Sequence, residues 1–204
     1  MNQSVLTTPV QTRAKRTYET LLKAAQEILA EDGYDALNSN AVAERAGLTP
    51  PSFYRYFSDK HMLLQVLAQR LLDAQDELAE TELLPLTPTF EAAVDAVERL
   101  LSADIELTRS FTAARELLVL MRALPELRDI RLATHERSAR LLAEATREFY
   151  PNLSHAVLKT RVRLASELYF STLEMLFETE FRNRPEIVRR AAIAIQAAIS
   201  MPGE

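Results

Sequence analysis

The sequence predicts an all-α protein, and three observations lead to this prediction. Alanine, leucine, glutamate and arginine dominate the chain, and all four are strong helix formers. Only 3 of the 204 residues are glycine, so few positions interrupt a helix. Apolar residues also recur three and four positions apart over most of the chain, which is the period of an amphipathic helix.

The first two predicted helices are marked by an apolar stripe and by two glycines. The first helix begins near Thr12 and ends before Gly33, because glycine tolerates the left-handed conformation that closes a helix. A shorter helix follows and ends at Gly47, and either Asn38 or Ser39 is suited to cap its start. The stripe of the first helix consists of Tyr18, Leu21, Leu22, Ala25, Ile28 and Leu29.

Two consecutive prolines predict the start of a third helix. Proline is favoured in the first turn of a helix, where its missing N–H would have no partner. Pro50 also restricts Thr49 to the extended geometry of an N-cap residue, with Pro51 following in the first turn. We expect this helix to run to about Phe57. Two short helices joined by a glycine turn are typical of a helix-turn-helix motif.

Prolines separate most of the later helices. Ser58 is expected to cap a fourth helix, which carries Asp59 in its first turn and reaches about Glu80. The proline-containing segment 84–88 follows this helix. Five further helices are predicted at residues 89–102, 107–122, 126–149, 154–181 and 186–200.

The charge distribution is compatible with a nucleic-acid partner, although the net charge of the chain is −5. Residues 1–60 carry equal numbers of basic and acidic side chains, and three cations precede the first acid. These three, Arg13, Lys15 and Arg16, form a basic arm that either contacts DNA or remains solvated. Residues 1–11 are expected to be a disordered polar tail. DNA binding requires a local basic face and not a basic protein.

Composition excludes several classes of site. The chain has 0 cysteines, so a disulfide framework and a thiolate metal site are excluded. Its three histidines, His61, His135 and His155, are far apart, and we expect neither a metal nor a cofactor. The N-terminus lacks the apolar segment of a signal peptide, and no apolar run approaches the roughly 20 residues of a membrane span. A cytoplasmic protein with no membrane partner is expected.

Residues 41–60 combine a short helix, a glycine turn and an aromatic-rich helix that leads through lysine into the next helix. They read AVAERAGLT from Ala41 to Thr49 and SFYRYFSDK from Ser52 to Lys60. This stretch resembles the DNA-binding domain of the TetR family of transcriptional regulators. The resemblance covers about residues 12–72, and the rest of the chain is similar to the family in length and number of helices.

The resemblance implies two domains and a set of DNA contacts. Residues 12–60 correspond to a helix-turn-helix DNA-binding domain, and residues 61–204 to a helical ligand-binding and dimerisation domain. The residues that the resemblance implies at double-stranded operator DNA are Ser39, Asn40, Thr49, Pro50, Pro51, Ser52, Tyr54, Arg55, Tyr56 and Lys60.

Side-chain chemistry divides these residues into phosphate contacts and base contacts. The hydroxyls of Tyr54 and Tyr56 and the ammonium of Lys60 suit phosphate oxygens, whereas the start of the recognition helix meets base edges. Pro50 and Pro51 have no hydrogen-bonding side chain, so contact there is expected to be apolar, for example with a thymine methyl. The alternative for the two tyrosines is an ordinary surface position.

Other residues of the motif have structural alternatives. Phe53 and Phe57 are expected to pack the small three-helix core. Arg55 is equally suited to a DNA contact and to a solvated salt bridge, and Asn40 is alternatively an exposed residue without a DNA role. Thr49 is expected to act first as a cap and second as a phosphate contact.

The last two predicted helices carry apolar stripes suited to a homodimer interface. Small alanines permit close approach, and two such helices from each subunit would form a four-helix bundle. The alternative is that both stripes face the core of a single subunit. The predicted interface residues are Leu158, Val162, Ala165, Leu173, Ile187, Ala191, Ile195 and Ala198.

Aromatic and methionine side chains in the C-terminal part are candidates for a small-molecule pocket. The alternative is that they are ordinary core residues. The candidates are Phe111, Leu118, Met121, Tyr169, Phe170 and Phe177.

Three classes of function remain at this point. The resemblance implies a repressor that a small molecule releases from a palindromic operator, with activation of transcription as a variant of this interpretation. The second class is a DNA-binding protein of the same fold that a protein partner controls, and a buried apolar cavity would argue against it. The third class is an enzyme, which we do not expect because the sequence has no cysteine, no G-x-S-x-G and no phosphate loop.

Overall fold

The computed structural model describes residues 12–82 and 89–200, and within these ranges the chain is helical and contains no strand. The all-α prediction is confirmed. The predicted tail at residues 1–11 and the proline segment 84–88 lie outside the described residues. The helices are α1 Thr12–Glu31, α2 Ser39–Arg45, α3 Pro50–Tyr54, α4 Lys60–Glu82, α5 Phe90–Ser110, α6 Ala114–Ala123, α7 Pro125–Ala145, a 3-10 turn Arg147–Phe149, α8 His155–Glu178 and α9 Arg184–Ser200.

The described residues form two compact units that do not follow a single cut in the sequence. Of the described residues, the N-terminal unit contains 12–71 together with Phe111–Ile130. The C-terminal unit contains the described residues 72–82, 89–110 and 131–200. The contacts therefore divide the chain within α4 and not after residue 60, where the functional boundary is predicted.

The apolar stripe of α1 forms the centre of the N-terminal unit. Its residues Tyr18, Leu21, Leu22, Ala25, Ile28 and Leu29 are all buried. Gly33 ends the helix with φ +81°, and its N–H donates to the carbonyl of Ile28 at 3.1 Å. Phe57 stacks on Tyr18 with ring centroids 5.1 Å apart, and Phe53 is buried beside it. The predicted core roles of both phenylalanines are confirmed.

Helix α3 is shorter than the sequence predicts. It ends at Tyr54 and not at Phe57. The N–H groups of Tyr56 and Phe57 both donate to the carbonyl of Phe53, at 2.9 and 3.0 Å, and this closing turn directs Phe57 into the core. The helix therefore ends early because burial of the Phe57 ring requires this turn.

The cap of α4 is Asp59 and not the predicted Ser58. Asp59 Oδ1 accepts the N–H of Met62 at 2.9 Å, and Ser58 Oγ donates to Asp59 Oδ2 at 3.0 Å. These hydrogen bonds, that from Met62 first, lower the pKa of the Asp59 carboxyl group. A charged acceptor at the start of a helix also interacts favourably with the helix dipole, which explains why the carboxylate takes the capping position.

Helix α5 contradicts the predicted break between residues 102 and 107. The helix is continuous to Ser110, and the interruption lies at Ala113, which has φ +65°. Ser102 lies within α5, where its Oγ donates to the carbonyl of Glu98 at 2.8 Å. Asp104 is buried and accepts hydrogen bonds from other helices.

Five of the eight residues predicted at the dimer interface of α8 and α9 are buried inside the protomer, so for these five the structure disagrees with the prediction. Packing among α5, α8 and α9 covers these five residues. Leu158, Val162, Ala165, Leu173 and Ile195 are buried in that core, and Ile187, Ala191 and Ala198 pack against it.

Helix α8 presents a second apolar row on its outer side. Val157, Leu164, Leu168 and Met175 are all exposed, Leu164 at 53 %. Their spacings of seven, four and seven residues place them on one face of a helix. In the part of the chain that the structure describes, no helix combines the length and apolarity that a membrane crossing requires.

Candidate nucleic-acid interface and internal cavity

Asn38 caps helix α2 and leaves the side chain of Ser39 free for another contact. Asn38 Oδ1 accepts the N–H groups of Asn40 and Ala41 at 3.1 and 3.0 Å, and its backbone is extended. Of the two candidate caps, the structure therefore selects Asn38. Asn40 is exposed in the first turn of the helix.

A hydroxyl pair connects the start of α2 with the end of α3. Ser39 Oγ lies 2.8 Å from Tyr54 Oη, and Tyr54 is 56 % exposed. The Tyr54 ring packs edge-on against Phe53, which anchors it to the core. One of the two hydroxyl hydrogens is used between the oxygens, so the other can be donated to an outside acceptor such as a phosphate oxygen.

The start of α3 has the backbone predicted for it. Thr49 is extended, with φ −95° and ψ 152°, and Pro50 occupies the first helical position. The Thr49 side chain makes no capping bond and lies 3.2 Å from Ser52 Oγ, so the expected side-chain cap is absent. Pro50 and Pro51 are exposed beside this second hydroxyl pair.

The remaining predicted contacts surround these two pairs. Lys60 Nζ lies 4.0 Å from the centroid of the Tyr34 ring, a cation–π distance that orients the ammonium group. Tyr56 is half-buried and packs edge-on against Tyr18, and Arg55 is exposed. Sequence reasoning missed Tyr34, because nothing in the helical periodicity of the sequence relates it to Lys60.

Arg45 is a further residue that the sequence did not single out. Its guanidinium donates to Glu31 Oε2 at 2.8 Å and to Asp32 Oδ2 at 3.1 Å. These bonds tie the end of α2 to the end of α1. Arg45 is therefore engaged with carboxylates and is a poor candidate for a phosphate contact.

Comparison with known proteins identifies the family that the helix-turn-helix segment resembles. The family model of the bacterial regulatory proteins of the tetR family matches residues 21–67, which include α2, the glycine turn and α3. The helix-turn-helix segment of this chain is therefore similar to that of the TetR family. Since this family consists of regulatory proteins, the match argues against the enzyme alternative.

The curated relatives match this chain over short stretches only. An uncharacterized helix-turn-helix regulator of Bacillus subtilis, YvdT, is 39% identical over 64 residues, which is 31% of this chain and 32% of that protein. The class A tetracycline repressor of transposon 1721 from Escherichia coli is 40% identical over 53 residues, 26% of this chain and 24% of that protein. The matches thus span a third or less of these relatives.

A solved structure extends the likeness to the fold of the whole chain. The TetR-family regulator PfmR from Thermus thermophilus superposes with a TM-score of 0.60 at 20% identity. The match covers 96% of this chain and 100% of that one. At this level of identity the TetR fold is shared, and the residues of the C-terminal unit have to be interpreted from their own contacts.

The C-terminal unit encloses a cavity of about 160 Å³. Of the six residues predicted to form a pocket, Tyr169 and Phe170 line the cavity. Phe149, which is not among the six, lines it as well. Phe177 packs against the core of the same unit. Phe111, Leu118 and Met121 do not line it: they belong to the N-terminal unit, where Leu118 and Met121 are buried.

Asp104 is the most unusual side chain of the cavity. Its Oδ1 accepts hydrogen bonds from Gln75 Nε2 at 3.0 Å and from Thr108 Oγ1 at 3.1 Å, and its Oδ2 accepts one from Tyr169 Oη at 2.8 Å. Burial raises the pKa of the Asp104 carboxyl group, and the three donors oppose this rise. Sequence reasoning missed Asp104 because it interpreted residues 102–107 as a break between helices.

A buried histidine borders the same region. His135 is 1% exposed, its ring stacks on Phe170 at 3.6 Å, and its Nδ1 lies 3.3 Å from Glu167 Oε1. Burial lowers the pKa of His135 from 6.5 to about 4, and Arg131 and Arg163 act in the same direction while Glu167 opposes it. In the folded protein this imidazole is therefore neutral at pH 7.

We expect this histidine to make the protein less stable in mild acid. Between pH 6.5 and 4 the unfolded chain takes up a proton at His135 that the folded chain does not, so the free energy of unfolding falls by up to about 3 kcal/mol as the pH is lowered. Urea unfolding of the wild type and of His135→Gln across this range should show a smaller loss in the variant. The matched control is His155→Gln at the exposed start of α8, which should follow the wild type. Parallel curves for the wild type and His135→Gln would contradict the prediction.

Proposed function

We propose that this chain is a DNA-binding transcriptional repressor of the TetR family that a small molecule releases from a palindromic operator. The observation that carries the proposal is the exposed hydroxyl pair of Ser39 and Tyr54, which joins α2 to α3 on one face of the helix-turn-helix. Such a regulator acts where the bacterial chromosome lies, and we assign it to the cytoplasm.

The phosphate contacts are assigned to Tyr54, Tyr56 and Lys60. Tyr54 has an exposed ring held by Phe53, so little side-chain entropy is lost when its hydroxyl meets a phosphate oxygen. Lys60 is oriented by the Tyr34 ring and supplies the positive charge. Contacts of this kind position the protein on DNA without reading the sequence.

The base contacts are assigned to the start of α3 and to Asn40. Ser52 brings a hydroxyl, and Pro50 and Pro51 bring exposed apolar surface that fits a thymine methyl group. Asn40 offers an amide that can pair with adenine in the major groove. The Thr49 hydroxyl is paired with that of Ser52, so Thr49 is the least suited of these residues to contact DNA directly.

A palindromic operator requires a two-fold symmetric protein, and the outer row of α8 is the surface we assign to the dimer. Leu164, Leu168 and Met175 are exposed apolar side chains on one face of α8, and Ile193 is exposed on α9. Two copies of these helices would bury that surface in a four-helix bundle. The sequence predicted that the last two helices form the dimer interface, and we assign the contact to their exposed apolar side.

The cavity of the C-terminal unit supports control by a small molecule. A cavity of about 160 Å³ lined by aromatic residues and a few polar groups has the character of a ligand site. The matched tetracycline repressor carries a small molecule in its name, which is consistent with this assignment. Control by a protein partner is the second candidate, and a filled core would have favoured it.

Titration of the purified protein onto a random palindromic DNA pool tests the proposal. We expect selection of a two-fold symmetric site and an affinity that falls steeply as salt rises. Lys60→Met should weaken binding evenly across DNA sequences. It should also reduce the slope of log affinity against log salt concentration by about 1, the value for the loss of one phosphate contact. Ser52→Ala should instead relax the preference for particular bases. Lys23→Met, an exposed lysine on α1, is the matched control and should leave both unchanged. Binding without selection of any sequence would refute the proposal.

A further inference from the structure

We infer that the cavity of the C-terminal unit binds a small amine, with an apolar body about the size of one aromatic ring and a single protonated amino group that pairs with Asp104. This inference rests on the proposed function, since it names the chemical class of the effector. It depends on the volume of the cavity, on the charges that line it and on the hydrogen bonds of Asp104.

The volume limits the ligand to a small molecule. A cavity of about 150 Å³ in an unrelated protein holds benzene, and the cavity described here measures about 160 Å³. Its walls include Leu100, Leu142, Phe149, Phe170 and Ile195, which offer an apolar surface for a ring or a branched alkyl group. A multi-ring ligand would require the cavity to expand.

The charges select against an anion. Among the described residues that line the cavity there is no lysine, arginine or histidine, and there are two aspartates, Asp76 and Asp104. Asp76 is already paired, because it accepts hydrogen bonds from Arg137 and from Ser138 Oγ. The donors that the described residues provide to Asp104 are neutral and come from Gln75, Thr108 and Tyr169.

A ligand cation would complete the surroundings of Asp104. A carboxylate offers about four lone-pair sites, and the neutral donors occupy three of them at 2.8, 3.0 and 3.1 Å. An ammonium N–H can take the remaining site. Burying a carboxylate without a cation is costly, and a charged hydrogen bond in the same apolar surroundings offsets that cost. The aromatic rings of Phe149 and Tyr169 add a further attraction for a cation.

Calorimetric titration of the full chain with three molecules of one shape tests the inference. Phenethylamine, phenylethanol and phenylacetate share a ring and a two-carbon chain, and are cationic, neutral and anionic at neutral pH. We expect phenethylamine to bind at least about tenfold more tightly than phenylethanol, because a hydrogen bond between charged groups exceeds a neutral one. Phenylacetate should bind most weakly.

Two variants on the same helix identify the group responsible. Asp104→Asn keeps the shape and removes the charge, so phenethylamine should lose at least about tenfold in affinity and its preference over phenylethanol should vanish. Asp95→Asn makes the same chemical change on the exposed side of α5 and should retain the preference. If Asp104→Asn fails to fold, the three ligands still decide the matter on the wild-type protein.

The outcomes separate this inference from the proposed function. Equal affinities for the three molecules, a preference for phenylacetate, or no binding of any of them at millimolar concentration would overturn the amine assignment. Operator DNA binding is measured independently of these titrations. Selection of an operator without any amine preference would leave the proposed DNA-binding function standing, and amine binding without operator selection would support the site while refuting that function.

Discussion

Replacing Phe57 with alanine is expected to lower the free energy of unfolding of the N-terminal unit by about 3–5 kcal/mol, the range for removing a buried aromatic ring. Phe57 is 1% exposed, stacks on Tyr18 of α1 and lies 5.6 Å from the ring of Phe53. Its loss would leave a void where the end of the helix-turn-helix meets α1. Urea unfolding followed by circular dichroism measures the effect.

The matched control for this prediction is Arg55→Ala, two residues earlier. Arg55 is exposed, and substitutions at such positions usually change stability by less than about 0.5 kcal/mol. The Phe57 variant should also lose operator binding, because the position of α3 depends on that ring. A Phe57→Ala protein within about 1 kcal/mol of the wild type would show that the surrounding side chains collapse into the space.

The second large effect is expected at the outer row of α8. In a symmetric dimer each substitution occurs twice, and an interface residue at a hot spot contributes about 2 kcal/mol or more per copy. Leu164→Asp should therefore weaken the dimer about a thousandfold, which corresponds to about 4 kcal/mol. Sedimentation velocity at micromolar concentration should find dimers of the wild type and monomers of the variant.

Leu141→Asp provides the control for this experiment. Leu141 is 48% exposed on α7, so the same change of charge is made outside α8 and α9. This variant should remain dimeric and bind operator like the wild type. A dimeric Leu164→Asp protein, or an equal loss in both variants, would show that the outer row of α8 is not the interface.

The sequence predicted most of the N-terminal unit because local rules determine its elements. The stripe of α1, the left-handed Gly33 and the Thr49–Pro50 start of α3 each depend on residues that are neighbours in the chain. The early end of α3 was missed because it depends on a tertiary contact between Phe57 and Tyr18. Helix periodicity cannot report such a contact.

The C-terminal unit shows where periodicity becomes ambiguous. Helix α8 has two apolar rows, one through Leu158 and Val162 and one through Leu164 and Leu168, and both repeat with a helical period. Hydrophobicity alone does not distinguish the row that the core covers from the row that remains exposed. Asp104 was missed for a related reason. An aspartate favours turns and caps in a sequence pattern, and Asp104 is a buried acceptor because of partners on other helices, which the pattern does not show.

The N-terminal unit is built from two separate stretches of sequence, which limits how it can be exchanged between regulators. Residues 111–130 belong to the N-terminal unit although they follow α5, and Gln26 donates to the carbonyl of Thr112 at 3.1 Å while His61 lies 3.9 Å from Glu126. A chimera that transplants only residues 12–71 would separate these partners. Evolutionary or engineered recombination of this protein therefore has to move both stretches together. A chimera that also includes residues 111–130 should retain the stability of the N-terminal unit.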